Sequence, residues 1–203
     1  MSVLAFFGLI ALVAIPREIS SAREPPQRPF KLEELFIEES VFPHDWRVDP
    51  GGPGKACISA PLGSGCRSYY ARNLFYSFTE NPRGGGLQEI HQYLSAEEAS
   101  ADFQRLEKGW FSINDFQTEW RIPYELEGVA PQVDQFILGC HYYGEDEQCQ
   151  FAARYEEFVV RIHLDRSRMA HEGMVELLSY SELTQVIRAI DNKVMEMLES
   201  EQE

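Results

Sequence analysis

The sequence predicts an α+β fold in which an antiparallel sheet of about five to six strands is backed by helices. Segments with period-two alternation, which is typical of half-buried strands, follow one another in runs and do not alternate with helices. The chain then closes with an apolar stripe at helical spacing, made of Leu183, Val186, Ile187, Ile190, Val194 and Met197. We expect this C-terminal amphipathic helix to pack on the sheet, because the sheet offers the apolar face that the stripe needs.

The best-defined part of the pattern is a hairpin centred on Gly144. Alternation on both sides predicts two strands joined by a two-residue loop, in which Gly144 supplies the positive φ of a type II′ turn. This register places Cys140 directly opposite Cys149 in a non-hydrogen-bonded pair, where Cα atoms are about 4.5 Å apart. That separation suits a disulfide, which we expect here in preference to two buried thiols.

A third strand is predicted after a tight bend at Glu156, with alternate apolar residues over 158–164. Because Val159 is apolar as well, this strand is expected to be central and buried on both faces. The polar run 165–168 is expected to end the strand.

Upstream, residues 31–38 are expected to form a short helix and Trp46 to anchor the core. Residues 69–78 and 87–93 have the composition of a second hairpin, and 116–122 that of a short strand.

Two capping boxes mark helix starts. Ser95 with Glu98 and Ser179 with Glu182 have the spacing in which each side chain satisfies a backbone N–H of the first turn.

The predicted organisation is a signal peptide or N-terminal anchor over residues 1–22, a linker over 23–30 and a single domain over 31–203. The apolar run 3–15 is too short to span a bilayer, which takes about 20 residues, and suits a signal segment cleaved after Ala22. No Lys or Arg precedes the run, so an uncleaved anchor is the alternative.

The net charge of −15 argues against nucleic acid as a partner, since phosphate backbones would repel the chain. Anionic membranes are disfavoured for the same reason, and membrane contact is expected only through an uncleaved N-terminal segment. The expected location is secreted or extracytoplasmic, in the cell envelope.

Four cysteines allow three connectivities. We prefer the two local bridges, Cys57 with Cys66 and Cys140 with Cys149, because the first would close the Gly-, Pro- and Ser-containing loop 58–65, which orders poorly by itself. Disulfides are expected because an exported protein folds in an oxidising compartment. The spacing does not suit a redox motif or a zinc site, so no metal or cofactor is assigned.

Candidate ligand-binding residues lie on the face of the strands opposite the main apolar stripe. By alternation this face carries His141 and His163. One hypothesis is that they come together across neighbouring strands as an acid–base or metal cluster, with Asp165 as the orienting carboxylate. The wider candidate ligand surface is His141, Tyr143, His163, Trp110 and Trp120. No nucleophile motif is present, and no catalytic residue is assigned.

The acidic hairpin tip, residues 145–147, is expected to be a solvated turn, with a cation-binding turn as the alternative.

Two segments near the start carry a family resemblance. Residues 32–36 (LEELF) and 42–46 (FPHDW) resemble the "L-x-x-L-L … L-P-x-G-W" opening of bacterial extracytoplasmic sensor-like and lipoprotein domains. The strand 155–164 running into the helix 181–197 is similar to how those domains close. The resemblance implies an exported α+β domain of unassigned role, and it implies no catalytic residues.

The leading hypothesis is therefore an exported, non-enzymatic domain that binds a small-molecule ligand or a protein partner outside the cytoplasm. The alternative is a hydrolase or metal-dependent enzyme that uses His141, His163 and Asp165.

Overall fold

A computed structural model of the chain describes residues 24–43, 46–49, 54–59, 66–77, 84–110, 120–129, 131–133, 135–170 and 173–200. The predicted signal segment, 1–22, and most of the predicted strand 116–122 lie outside these ranges. Both stay predictions.

The described residues form eight strands and two α-helices. The strands are β1 (Trp46–Val48), β2 (Gly54–Ser59), β3 (Cys66–Ser77), β4 (Gly85–Tyr93), β5 (Gln135–Tyr143), β6 (Asp146–Tyr155), β7 (Phe158–Ala170) and β8 (Gly173–Glu176). The helices are α1 (Ala96–Trp110) and α2 (Tyr180–Glu199), with short 3-10 helices at Leu32–Leu35, Glu39–Val41 and Tyr124–Leu126.

All the strands pair in antiparallel fashion in one sheet, in the order β1-β3-β4-β7-β6-β5. The short strands β2 and β8 extend it by pairing with β3 and β7. The predicted α+β class is confirmed, and β1, β2 and β8 are short strands that the alternation did not reveal.

Helix α2 covers one face of the sheet and forms the main core. Its predicted capping box is present, because Ser179 Oγ accepts a hydrogen bond from Glu182 N at 3.2 Å and Glu182 Oε2 accepts one from Ser179 N at 2.8 Å. The predicted stripe packs against alternate residues of β6 and β7, among them Phe151, Ala153, Val160 and Ile162. Val159 is also fully buried, which confirms β7 as a central strand.

Helix α1 lies on the opposite face and covers only part of it. Ala99 and Phe103 pack there on Ala152, Val159 and Tyr93. Neither α1 nor α2 combines the length and apolarity of a membrane-spanning helix, and the same holds for every other helix of the described ranges.

Trp46 anchors the core as predicted. It is 1% exposed, stacks on Phe42 with ring centroids 5.6 Å apart, and donates its indole N–H to Leu177 O at 3.1 Å.

The prediction that residues 165–168 end the third strand is wrong. Strand β7 continues to Ala170, with a bulge at Arg166, since Gln148 pairs with Asp165 and Glu147 with Ser167. The polar run stays in the sheet because its side chains find partners of opposite charge. Arg166 binds Glu147, and the Nε of Arg168 donates to Asp146 at 3.1 Å.

Residues 24–30 of the predicted linker pack against the sheet. Arg28 Nε donates to Glu157 Oε1 at 2.7 Å, and Gln92 Nε2 donates to Pro26 O at 2.8 Å. The ring of Phe30 lies 5.9 Å from that of Phe158, so this segment reaches the turn between β6 and β7.

Candidate functional site: a polar sheet face

The sheet face that α1 leaves partly uncovered carries a band of polar side chains on four neighbouring strands. Alternation places them there, since they share the face of the α1-contacting Ala152 and Val159. We call this band the polar face. Its members are Glu89 and His91 on β4, Arg161, His163 and Asp165 on β7, Gln148 and Gln150 on β6, and His141 on β5.

One hydrogen-bonded row crosses three strands at the end of the polar face near the β5–β6 hairpin. His141 bonds to the side chain of Gln148, and Gln148 Nε2 donates to Asp165 Oδ1 at 2.9 Å. The other oxygen of Asp165 accepts from Gly85 N at 2.8 Å. This row holds the amide and imidazole in fixed orientations.

A second row lies beside the first. Gln150 Nε2 and His163 Nδ1 are 3.1 Å apart, while Gln150 Oε1 is buried and has no hydrogen-bond partner among the described residues. A buried amide oxygen without a partner is rare and costs folding free energy, so a hydrogen-bond donor brought against this atom would be favourable.

The charged side chains of the polar face are compensated within the protein. Arg161 Nη1 lies 3.4 Å from Glu89 Oε2, and these side chains are 17% and 20% exposed. Arg168 Nη1 lies 3.7 Å from Asp165 Oδ2.

The histidines of the polar face are held in the neutral form. Burial lowers the pKa of His91 to about 4, with the Arg161 guanidinium acting in the same direction. Burial also lowers the pKa of His141 and of His163, although Asp165 opposes the effect on His163. A neutral imidazole offers one donor and one acceptor.

Trp120 reaches the polar face from the edge of the sheet. Its ring centroid lies 4.1 Å from that of His141. The next residue, Arg121, forms a single β-bridge with Cys140, with N–H···O distances of 3.0 and 2.8 Å. Because side chains alternate along an extended chain, Arg121 points to the opposite face, where its Nη2 donates to Tyr142 Oη at 2.8 Å. The bridge and this bond hold Trp120 in place.

A buried ionic cluster lies on the α2 face below this edge. Glu147 is 0% exposed, accepts a hydrogen bond from Tyr180 Oη at 2.8 Å and pairs with Arg166. Arg166 stacks over the ring of Tyr180, with 4.4 Å between its guanidinium carbon and the ring centroid, and burial raises the pKa of Tyr180 to about 12.

The expectation that residues 145–147 form a solvated turn is wrong for Glu147, because Arg166 and Tyr180 supply partners that local sequence does not show.

The cysteines of the hairpin form the predicted disulfide. Cys140 pairs with Cys149, their Cα atoms are 4.0 Å apart, and the sulfurs are bonded. Both backbone groups of Cys140 bond to Arg121, on the side away from β6. The cysteine pair is therefore a non-hydrogen-bonded one, as predicted.

The hairpin turn also agrees with the prediction, because Gly144 has φ 65°. Cys57 and Cys66 lie on the paired strands β2 and β3, their side chains are outside the described part, and their bridge stays a prediction.

The predicted ligand residues are partly brought together. His141, His163 and Asp165 share the polar face, but β6 lies between the strands of the two histidines, and Gln148 and Gln150 fill the space. Within the described ranges no three His, Cys, Asp or Glu side chains are placed to hold a metal. Tyr143 follows on β5, and Trp110 ends α1. Their side chains lie outside the described part.

Sequence reasoning missed Gln148, Gln150 and Arg161. Alternation alone assigns the first two to the face opposite Cys149 and Phe151, and this signal could have identified them.

Cavities bordered by described residues also lie away from the polar face, with volumes of about 690, 420, 330 and 160 Å³. The cavity of about 330 Å³ is bordered by Arg28, whose guanidinium is already bound to Glu157, and the cavity of about 160 Å³ by Tyr155, Met195, Gln132 and two glutamates. The polar face is the stronger candidate because hydrogen bonds hold its amides and imidazoles in fixed orientations.

These features define a class of protein: an α+β domain whose antiparallel sheet has a helix on each face and a polar band on one of them. The extracellular domain of PknH from Mycobacterium tuberculosis has a similar fold, with a TM-score of 0.55 and 12% identity over 86% of this chain and 100% of that one. At this identity the likeness concerns the fold alone. No family model matches the chain, and a search of curated proteins finds no match.

Proposed function

We propose that this chain is an exported, non-enzymatic domain that binds a small polar ligand on the polar face. One observation carries the proposal. Gln150 Oε1 is a buried acceptor without a partner in the described part, and it sits among oriented side chains that retain partial solvent access. Proteins avoid burying such an atom unpaired, so a ligand donor at this position would remove a cost that the fold carries without it.

The extracytoplasmic location rests on separate support. The protein with the similar fold is described as an extracellular domain, the hairpin carries a disulfide, and the sequence starts with a signal-like segment. Disulfides persist in oxidising compartments, so the three observations agree.

A thermal-shift screen tests the ligand site. The wild-type protein would be mixed with separate sets of sugars, amino acids, carboxylic acids, polyamines and nucleotides. A ligand present at about a hundredfold excess over its Kd is expected to raise Tm by about 5–10 °C. Gln150→Ala is expected to abolish the shift, because it removes the unpaired acceptor.

The matched control is Gln185→Ala, which makes the same change on the exposed side of α2. It is expected to keep the shift. A ligand that stabilises the wild type and Gln150→Ala equally would place binding elsewhere and overturn the proposal, as would a screen with no stabilising ligand.

A further inference from the structure

We infer that the ligand of the polar face is a neutral, hydroxyl-rich molecule of the carbohydrate class. This inference rests on the proposed function and adds the chemistry of the ligand. Three properties of the face carry it: the kind of hydrogen-bonding groups, the compensation of charge, and the position of an aromatic ring.

The hydrogen-bonding groups match hydroxyls. Gln148 and Gln150 carry amides with both donors and acceptors, and neutral His141 and His163 each carry one of either kind. A sugar hydroxyl is likewise a donor and an acceptor at once. Adjacent hydroxyls on a ring can therefore bond to neighbouring side chains of one row, with the unpaired Gln150 Oε1 accepting from one of them.

Charge compensation argues against an ionic ligand. Arg161 already faces Glu89 at 3.4 Å, and Asp165 already accepts from Gly85 N and Gln148 Nε2 at 2.8 and 2.9 Å. An anion or a cation would have to compete with these contacts. The net charge of −15 adds a general repulsion for anions. A neutral ligand brings no charge that needs compensation, and the acidic chain does not repel it.

The indole of Trp120 supplies the apolar part of such a site. It is half-buried at the end of the His141 row, where the ring centroids are 4.1 Å apart. A sugar ring has one face of C–H groups that packs on an aromatic ring, while its hydroxyls extend sideways toward polar neighbours. The arrangement of one indole beside two amide–imidazole rows fits a ligand with both features.

The test is isothermal titration calorimetry on the full chain with neutral tetrasaccharides, namely maltotetraose, cellotetraose, xylotetraose and chitotetraose. Tetragalacturonate and inorganic phosphate are the anionic comparison. At least one neutral sugar is expected to bind with a millimolar or tighter Kd. Trp120→Ala and Gln150→Ala are each expected to weaken it at least about tenfold, the loss of one well-made contact.

Gln185→Ala again serves as the control and is expected to bind like the wild type. Thermal unfolding of each variant shows whether it is folded, and if Trp120→Ala does not fold, Gln150→Ala decides. Binding of only the anionic probes, abolished by Gln150→Ala, would overturn the neutral ligand class and leave the proposed function standing. Absence of binding by all four sugars would overturn the inference, and sugar binding unchanged in Gln150→Ala would overturn both.

Discussion

Glu147 shows how a single residue of the acidic hairpin is used. Its carboxylate is 0% exposed and contacts the Arg166 guanidinium and the Tyr180 hydroxyl. Removing one partner of a buried ion pair costs much more than the pair itself contributes, because the other charge is left buried without compensation. The stability of this end of the sheet therefore depends on Glu147.

Glu147→Gln is expected to lower the free energy of unfolding by about 3 kcal/mol, since Arg166 loses its buried counter-charge and keeps only that of the exposed Glu176. Urea denaturation, with an unchanged m-value, measures the effect. The matched control is Glu176→Gln, because Glu176 binds the same guanidinium but is 59% exposed. That variant is expected to lose less than about 1 kcal/mol. Equal losses in the two variants would contradict the difference in burial.

His91 makes stability depend on pH. Its folded-state pKa is about 4, below the ordinary 6.5, so the unfolded chain takes up a proton first as the pH falls. The contribution of His91 to stability is complete above pH 6.5 and is lost as the pH falls toward 4. The maximum loss is about 3 kcal/mol. His141 and His163 have lowered pKa values and act in the same direction.

Unfolding free energies measured across this pH range check the prediction, and His91→Gln is expected to have a shallower pH dependence than the wild type. NMR titration of the His91 imidazole gives a direct reading. A midpoint near 6.5 in the folded protein would show that His91 is not shielded from protonation.

Among the elements, the β5–β6 hairpin contributes a disulfide to an edge of the sheet. Replacing Cys140 and Cys149 together with Ala is expected to lower the free energy of unfolding by about 2–3 kcal/mol, the value for a loop of this length. Thermal or urea unfolding measures it. Peptide mapping without reduction is expected to recover Cys140 joined to Cys149, and Cys57 to Cys66. Recovery of crossed pairs would overturn the local connectivity.

The hairpin also shows what the sequence could predict. Its turn, register and disulfide follow from Gly144 and from alternation within consecutive residues, so local rules suffice. The β4 part of the polar face, with Glu89 and His91, could not be derived in this way. It joins the face because β4, which ends at Tyr93, lies beside β7, which begins at Phe158, and no local periodicity specifies that pairing.

The burial of Glu147 has the same explanation. An acidic residue at a hairpin tip is normally solvated, but here the guanidinium of Arg166, which lies at a bulge in β7, pairs with Glu147. Charged residues are rarely fully buried unless paired, and the partner here comes from another strand. Side chains that depend on long-range partners are those for which sequence reasoning fails.

At the scale of the whole molecule, the contacts of the sheet extend back to Arg28, which belongs to the predicted linker. Arg28 binds Glu157, whose side chain is 4% exposed, so the domain uses residues close to the predicted cleavage site after Ala22. A cleavage after residue 22 would keep this ion pair, whereas a cut after residue 30 would remove Arg28 and leave Glu157 unpaired. The cleavage after Ala22 stays a prediction, and a cut after residue 30 is expected to cost stability because it would leave the buried Glu157 carboxylate without Arg28.

Intact mass from an exporting host tests export and disulfide content together. We expect loss of residues 1–22 and four cysteines that react with an alkylating reagent only after reduction, because an oxidising compartment forms both bridges. The control replaces Leu9 with Arg, which interrupts the apolar run 3–15 and is expected to keep the chain uncleaved and reduced. A wild-type chain with its N-terminal segment intact and four free thiols would contradict export. In that case the four thiols would be candidate reactive groups. The candidate ligands of the polar face would then be intracellular molecules.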